Sequence, residues 1–370
     1  MNDRQSDSGP PITNVHTAIY TFPTPDPEAD GTLQWNATTA VTVTLEADGR
    51  TGLGWTYSSP AAAAIISHHL AGVARQHPAF RIAEAWEAMH RAGRNYGTKG
   101  LYLQAMSAMD IARWDLTARL REIPVSALAG GRCRDAVPIY GSGGFTTLTD
   151  RQLEDQVHLW RSIGATGMKI KVGEAWGTRP ERDLQRVQRL RELAGPHADL
   201  MVDANGGYTI GQARRIGHAL DDLGVTWFEE PVSSDNPDGL AVLRQTLRCD
   251  ITAGEYAADL YDITALLLAV DCLQLDATRC GGYTGFLRGA TLAASRNLDI
   301  SAHCAPALHA PIATVVPNLR HIEFFADHAR LEPELVDGAA TAHDGHLHPH
   351  AAIGHGLTLA TSAEHHRVGQ

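Results

Sequence analysis

Two lysines, Lys169 and Lys171, stand two apart in the run Gly167-Met168-Lys169-Ile170-Lys171-Val172-Gly173. In a strand, residues i and i+2 share a face, so the two ammonium groups project together. Side by side they repel, and each makes the other easier to deprotonate. A lysine with a lowered pKa can serve as a base near neutral pH. A solitary Lys-x-Lys also fits a solvated strand end. The acidic residues that follow favour chemistry.

Asp203, Glu229 and Glu255 recur at steps of 26 residues, each at the end of a short apolar run. Three converging carboxylates are unstable unless a cation neutralises them. An all-oxygen set suits a hard ion, Mg2+ with Mn2+ as the alternative, and leaves positions open for water and substrate. A zinc site would show His or Cys at these ends instead. Asn205 follows Asp203 by two and is expected beside the metal or the substrate. Glu230 follows Glu229 directly and is expected to point the other way, in a structural role. Asp276 and His303 end the next two runs. A carboxylate bonded to one imidazole nitrogen fixes the tautomer and raises the basicity of the other. Lys171 and His303 would then be two bases facing two sides of one carbon.

The elements that must position these residues change character along the chain. Val15 to Phe22 reads as extended, and Pro23 to Asn36 as a Pro-, Asp- and Gly-rich loop. Thr39 to Leu45 alternates with period two, and Thr51 to Tyr57 returns as its hairpin partner. Helical stretches follow at Ala61–Arg75, Ile82–Arg91 and Leu101–Leu120, the last with an apolar face of Met106, Met109, Ile111, Trp114 and Leu116. This makes an α+β unit over residues 1–134. From Val137 onward, eight short apolar runs alternate with amphipathic helical segments, the rhythm of a β/α barrel. The runs from the second onward carry Lys169 and Lys171, Asp203, Glu229, Glu255, Asp276, His303 and Glu323 at or near their ends. In a barrel those ends gather at one mouth. An open doubly wound sheet would call for a Gly-x-Gly-x-x-Gly after its first strand, and none is present. The Gly-, Ala- and His-rich segment 330–370 is expected to return to the N-terminal unit, with its histidines on the surface.

Composition bounds the partners. The chain has 370 residues, 44% hydrophobic and 20% charged, with a formal net charge of -11, which argues against a nucleic-acid surface. No apolar run approaches a membrane span, and Met1 to Asn14 is polar, without a signal-peptide core. Five scattered cysteines fit free thiols in a reducing, cytoplasmic setting.

Lys169-x-Lys171, Asp203-x-Asn205, Trp227-x-Glu229-Glu230-Pro231, Gly254-Glu255, Asp276, Gly281-Gly282, His303 and Glu323 together resemble the mandelate racemase-type subgroup of the enolase superfamily, in order and approximate spacing. The resemblance implies a modified (β/α)7β TIM-like barrel over 135–329, under an α+β capping domain of residues 1–134 completed by 330–370. It implies Mg2+-assisted removal of the proton α to a small-molecule substrate's carboxylate. Lys169 would place a fixed charge at the carboxylate oxygen, and a protonated Glu323 would donate a hydrogen bond to it. Lys171 would take a proton on one face, and His303, held by Asp276, would act on the other. Dehydration of a sugar acid (aldonate or aldarate) to a 2-keto-3-deoxy acid is the leading outcome. Racemisation or epimerisation, or cycloisomerisation of a sugar-acid lactone, uses the same parts. A barrel that has lost catalysis and only binds is the non-enzyme alternative, opposed by the intact Lys171, Asp276 and His303. The resemblance also implies a homo-oligomer, dimer to octamer. Specificity is expected in the loop Pro23–Asn36 and the turn Trp55–Ser59, as polar lids suited to a polyhydroxylated substrate.

Overall fold

The computed structural model describes residues 8–369; Met1 to Asp7, the first half of the polar start, lie outside the described residues. The N-terminal unit opens with a three-stranded antiparallel meander, β1 (Asn14–Ala29), β2 (Gln34–Ala47) and β3 (Arg50–Tyr57). The helix Leu101–Leu120 packs across it. Here two expectations fail. The stretch Pro23–Asn36 is mostly strand, not loop. β1 continues through Pro23, Pro25 and Pro27 to Ala29, and its pairing with β2 shifts register between Pro23 and Glu28, where three prolines lack a ladder N–H. Only Asp30 to Leu33 remains a hairpin tip. The helix Leu101–Leu120 is buried on nearly every side, not on one face. Its Asp110, Arg113 and Asp115 are buried and hydrogen-bonded: Asp110 accepts from Thr284, and Arg113 donates to the carbonyls of Ala74, His77 and Pro78.

Eight parallel strands follow: β4 (Val137–Gly143), β5 (Gly167–Lys171), β6 (Asp199–Asp203), β7 (Val225–Glu229), β8 (Asp250–Ala253), β9 (Cys272–Leu275), β10 (Asp299–Ala302) and β11 (Leu319–Phe325). They pair in sequence order, and β11 pairs back onto β4, so the sheet closes. Helices such as Asp150–Ser162 and Ile210–Asp222 return the chain between strands; each begins with a Thr-x-x-Gln capping box, Thr149 with Gln152 and Thr209 with Gln212. Outward residues such as Met168, Ile170 and Val202 join the core beneath those helices. Inward residues form layers. Tyr140, Met201, Trp227 and Cys272 make an apolar floor. One pleat higher, two residues on, Asp203 and Glu229 stand in register with Lys171.

The cap sits over this mouth. Its Phe22, Trp55, Tyr57 and Ile111 belong to the same hydrophobic core as the barrel. Segment 330–370 touches both units. The hairpin β13 (Thr341–His343) and β14 (His346–His348) adds to β4, after a short β12 (Val336–Asp337) that pairs with β15 (Thr358–Leu359). β16 (Arg367–Val368) adds to β1. The expectation of surface histidines fails at His355, which is buried and bonded to the Leu53 carbonyl at 2.7 Å. Among the described residues, no helix is long and apolar enough to cross a membrane.

Candidate active site

β5 ends on Lys171, β6 on Asp203 and β7 on Glu229; Glu255 lies just past β8, Asp276 past β9 and His303 past β10, while Glu323 lies on β11. All are nine-tenths or more buried. Asp203, Glu229 and Glu255 bring one carboxylate oxygen each within 4.8 Å of one another. Lys169 Nζ donates to both Glu229 oxygens (2.8 and 2.7 Å) and reaches Glu323 Oε1 at 2.8 Å. Trp227 Nε1 donates to Glu229 at 2.8 Å. Lys171 Nζ donates to Asp203 and, at 3.0 Å, to Asn205 Oδ1. Asn205, in the left-handed region at φ 44°, also folds its own N–H onto Asp203 Oδ1 at 2.9 Å.

His303 Nδ1 lies 2.9 Å from Asp276 Oδ2, and the other Asp276 oxygen accepts from Thr278 N and Oγ1, both at 2.7 Å. The cap steadies this loop: Thr56 donates to the Thr278 carbonyl (2.8 Å), and Ser107 Oγ accepts from Gly281 N (2.9 Å). His303 Nε2 faces Glu255 Oε2 at 3.3 Å. Ser142 Oγ and Cys304 N donate to Glu323, at 2.6 and 3.1 Å.

The charge balance tests the cation. Among the described residues, Asp203, Glu229, Glu230, Glu255, Asp276 and Glu323 face only Lys169, Lys171 and Arg279 as permanent cations. Glu255 Oε2 and Glu230 Oε1 are buried without a hydrogen-bond partner. Buried anions in excess, with orphaned oxygens beside an all-oxygen trio, fit a hard divalent ion.

Three details differ from expectation. Lys171 is not depressed: burial and Lys169 pull it down, but Asp203, Glu255 and Glu323 outweigh them and hold the ammonium above the ordinary lysine range. Glu323 is not a protonated donor here: burial raises it, yet Lys169, His303 and Lys171 hold it well below the usual carboxylate range, and it accepts. Glu230 does not turn away into a structural role. It lies past the strand at φ 36°, and its carboxyl is pushed up by burial and then by Glu255, Asp203 and Glu229. Strand alternation ceases to apply once the strand has ended.

The site opens into a cavity of about 430 Å³, lined by Lys171, Asn205, Glu255, His303 and Glu323 on the barrel side. Asp30, Leu33, Trp35 and the turn Tyr57–Pro60 line it from the cap, whereas Trp55 is buried in the core that the cap shares with the barrel. Gly31 packs so tightly over the end of β5 that a Cβ there would meet Val172 O at 2.6 Å. Of the other carboxylates in the expected lid loop, Glu28 is buried against Trp35 and Asp26 is bonded to Gln152.

Sequence reasoning missed Arg279, Cys304 and His328. Arg279 spans Glu255 (3.2 Å) and Asp276 (3.4 Å). His328 stacks on Tyr57 at 3.7 Å and takes the Ala305 N–H on Nδ1, which leaves Nε2 as its donor. Burial brings it down to about 4, so it is neutral. Arg279 offered a signal, standing three residues after Asp276. His328, in an ordinary helical stretch, offered none.

A closed parallel barrel with an acid trio at its mouth, flanked by a lysine and a His–Asp pair, defines an enzyme of the enolase type. The chain belongs to this superfamily: residues 152–363 match the "Enolase C-terminal domain-like" model, and residues 17–130 match "Mandelate racemase / muconate lactonizing enzyme, N-terminal domain". It is 33% identical to 3,6-anhydro-alpha-L-galactonate cycloisomerase of Streptomyces coelicolor, over 94% of this chain and 97% of that protein. It is 31% identical to L-talarate/galactarate dehydratase of Salmonella typhimurium, over 85% and 79% of the two chains. Among solved structures, a mandelate racemase/muconate lactonizing enzyme-like protein from Rubrobacter xylanophilus superposes with TM-score 0.93 at 41% identity, covering 97% of this chain and 100% of that one. A racemase from Streptomyces coelicolor A3(2) with bound magnesium superposes with TM-score 0.90 at 30% identity, covering 96% and 100%.

Proposed function

We propose that this chain removes the proton α to the carboxylate of a sugar acid and then expels a β-hydroxyl, giving a 2-keto-3-deoxy acid. The observation that carries this is one cavity holding Lys171 and His303 on different arcs of the ring, with the acid trio between them. Asp203, Glu229 and Glu255 would hold Mg2+, which supplies Lewis acidity at the substrate carboxylate when bound.

The protein's own groups do the rest. Lys169, fixed between Glu229 and Glu323, presents a permanent positive charge toward the carboxylate as charge develops there. Lys171 takes the α-proton at Nζ, after the proton that Asp203 now holds on it has passed to solvent in the cavity that it lines. His303 delivers a proton from Nε2 to the departing hydroxyl, and Asp276 stabilises the imidazolium. Asn205 orients Lys171. The hydroxyl groups of Ser58 and Ser59 in the cap suit a polyhydroxylated chain; that of Tyr57 is committed to Glu332 at 3.0 Å.

Cycloisomerisation is the second reading, supported by the full-length likeness to the anhydro-galactonate cycloisomerase. There the leaving group is a ring oxygen, and the same two residues move the protons. Screening mono- and diacid sugars and their anhydro forms with Mg2+ in D2O, with semicarbazide to detect 2-keto acids and product mass to detect loss of water, tests both readings. A keto acid lighter than its substrate by one water supports dehydration. A product isomeric with its substrate, keto acid or not, redirects the assignment to cycloisomerisation or racemisation. No exchange with any sugar acid defeats it.

We take residues 1–134 with 330–370 as the capping unit and 135–329 as the barrel, and the chain as a cytoplasmic homo-oligomer. Its five unpaired cysteines support the reducing setting. Light scattering on the eluting protein tests the assembly.

A further inference from the structure

Beside the all-oxygen trio lies a second donor set of different chemistry. His303 Nε2, Cys304 Sγ and Glu323 Oε2 are separated by 3.3 Å (N to S), 3.5 Å (S to O) and 3.8 Å (N to O). A tetrahedral zinc with bonds of about 2.1 Å to nitrogen and oxygen and about 2.3 Å to sulfur spaces its donors by roughly 3.4–3.6 Å. The sulfur-to-oxygen separation of 3.5 Å falls in that range, and the other two, 3.3 and 3.8 Å, need shifts of only a few tenths of an ångström to reach it.

Each donor is already aimed from behind. Asp276 holds His303 Nδ1 at 2.9 Å, the carboxylate–imidazole arrangement that orients metal-binding histidines. Ser142 and Lys169 occupy Glu323 Oε1 (2.6 and 2.8 Å), while Oε2 accepts the Cys304 N–H at 3.1 Å and keeps a second lone pair for the triangle. Cys304 and the following Ala305 both sit in the left-handed region, at φ 49° and 42°, an uncommon pair for residues with a Cβ. That backbone sets the thiol against His303 rather than into the helix that follows. All three residues line the cavity, so an ion has an entry path and a fourth position for water.

We propose that His303, Cys304 and Glu323 form a site for a soft divalent cation of the zinc class, separate from the hard-ion trio. One thiol proton passes to solvent as the metal–sulfur bond forms. Thiolate and carboxylate then balance the ion's two charges, with His303 neutral. Occupancy engages the Nε2 lone pair of His303, so zinc would silence the residue assigned to proton transfer while Mg2+ remains in place. The proposal concerns metal binding and holds whatever the substrate proves to be.

The test is a Co2+ titration of the full chain in excess Mg2+, followed by absorption. One equivalent should give a near-ultraviolet thiolate-to-cobalt band and visible tetrahedral bands, both erased by one equivalent of Zn2+. Cys304→Ser and Cys304→Ala should lose the thiolate band and weaken Zn2+ binding by more than ~100-fold, with circular dichroism unchanged. Asp276→Asn should weaken it by ~10–100-fold. Cys133→Ser, at the exposed cysteine, should change nothing. A thiolate band that persists in Cys304→Ser, disappears in Cys133→Ser, yields to Mg2+ or never forms overturns the site. Cobalt bands without a thiolate component would place the ion elsewhere, on the acid trio or the His343–His348 stack, and also overturn it.

Discussion

Asp276 Oδ2 lies 2.9 Å from His303 Nδ1, while Thr278 saturates the other oxygen of the same carboxylate. The imidazole is therefore held with Nδ1–H toward Asp276 and Nε2 toward the cavity. Asp276→Asn keeps the shape but removes the charge that stabilises an imidazolium. We expect kcat to fall by about 10²–10⁴, and His303→Asn to abolish turnover. Mg2+ binding, read by calorimetry, should be intact in both. Full activity in His303→Asn would falsify its role in proton transfer.

Removing the divalent ion should stop the reaction, and Mg2+ should restore it. A readout independent of turnover is the thermal midpoint. An ion bound only by the folded state raises it by mass action, adding ~2.7 kcal/mol of unfolding free energy at a hundredfold excess over Kd. Glu255→Gln and Asp203→Asn should lose most of that rise. A parent-like rise in Glu255→Gln would remove Glu255 from the ligand set.

Lys169 and Lys171 should fail differently. Lys169 neutralises Glu229 and Glu323 in a fully buried setting. Truncating one partner of such a pair costs about 3–5 kcal/mol, so Lys169→Ala should be markedly less stable in urea, and Mg2+ should recover part of the loss. Lys171→Ala should instead stop α-proton exchange into D2O with any substrate that the parent turns over. Continued exchange in that variant would assign the base elsewhere.

Two buried carboxyls predict how stability depends on pH. Burial pushes Asp110 up from 3.8 to about 7, against hydrogen bonds from Thr284, and Glu332 up from 4.5 to about 8. Between the ordinary and the raised values, the native chain keeps protons that the unfolded chain has already lost. Stability is thus present below about pH 4 to 4.5 and is lost as pH rises toward 7 and 8. Each group contributes a slope of at most ~1.4 kcal/mol per pH unit. Urea midpoints of Asp110→Asn and Glu332→Gln should fall less steeply over this range. Curves parallel to the parent's would contradict the assignment.

The barrel and its polar mouth were legible because each strand carries its chemistry at a fixed place. Period two puts Lys169 with Lys171, Met201 with Asp203 and Trp227 with Glu229 on the inner face, and closure brings those faces together. What the pattern hid depends on packing across the chain. Asp110, Arg113 and Asp115 look like the wet side of an amphipathic helix, yet their partners are supplied by the Gly281–Thr284 turn, by carbonyls of residues 74–78 and by Leu53, Arg119 and His355. The proline-rich stretch after Phe22 has loop composition but strand geometry, since an interrupted ladder spares its missing N–H groups. Protonation states were the least legible. The repulsion between Lys169 and Lys171 is real, but the carboxylates around them exceed it.

The closing residues stitch the molecule twice. His346 and Leu347 extend the barrel at Pro138 and Val137, and Arg367 and Val368 extend the cap at Tyr20 and Ile19. Between the two seams, Gly354 bridges to Pro124, and His355 donates its N–H to Asp115. A hinged lid swinging free of its base would have to break at least one of these seams. Access to Lys171 and His303 therefore falls to side chains at the cavity mouth, since even the Asp30–Leu33 tip is pinned, Gly31 O by the Trp176 N–H at 2.9 Å and Asp30 O by Thr146 Oγ1 at 2.9 Å. Each catalytic cycle would then involve a flicker of a few residues over a rigid bowl.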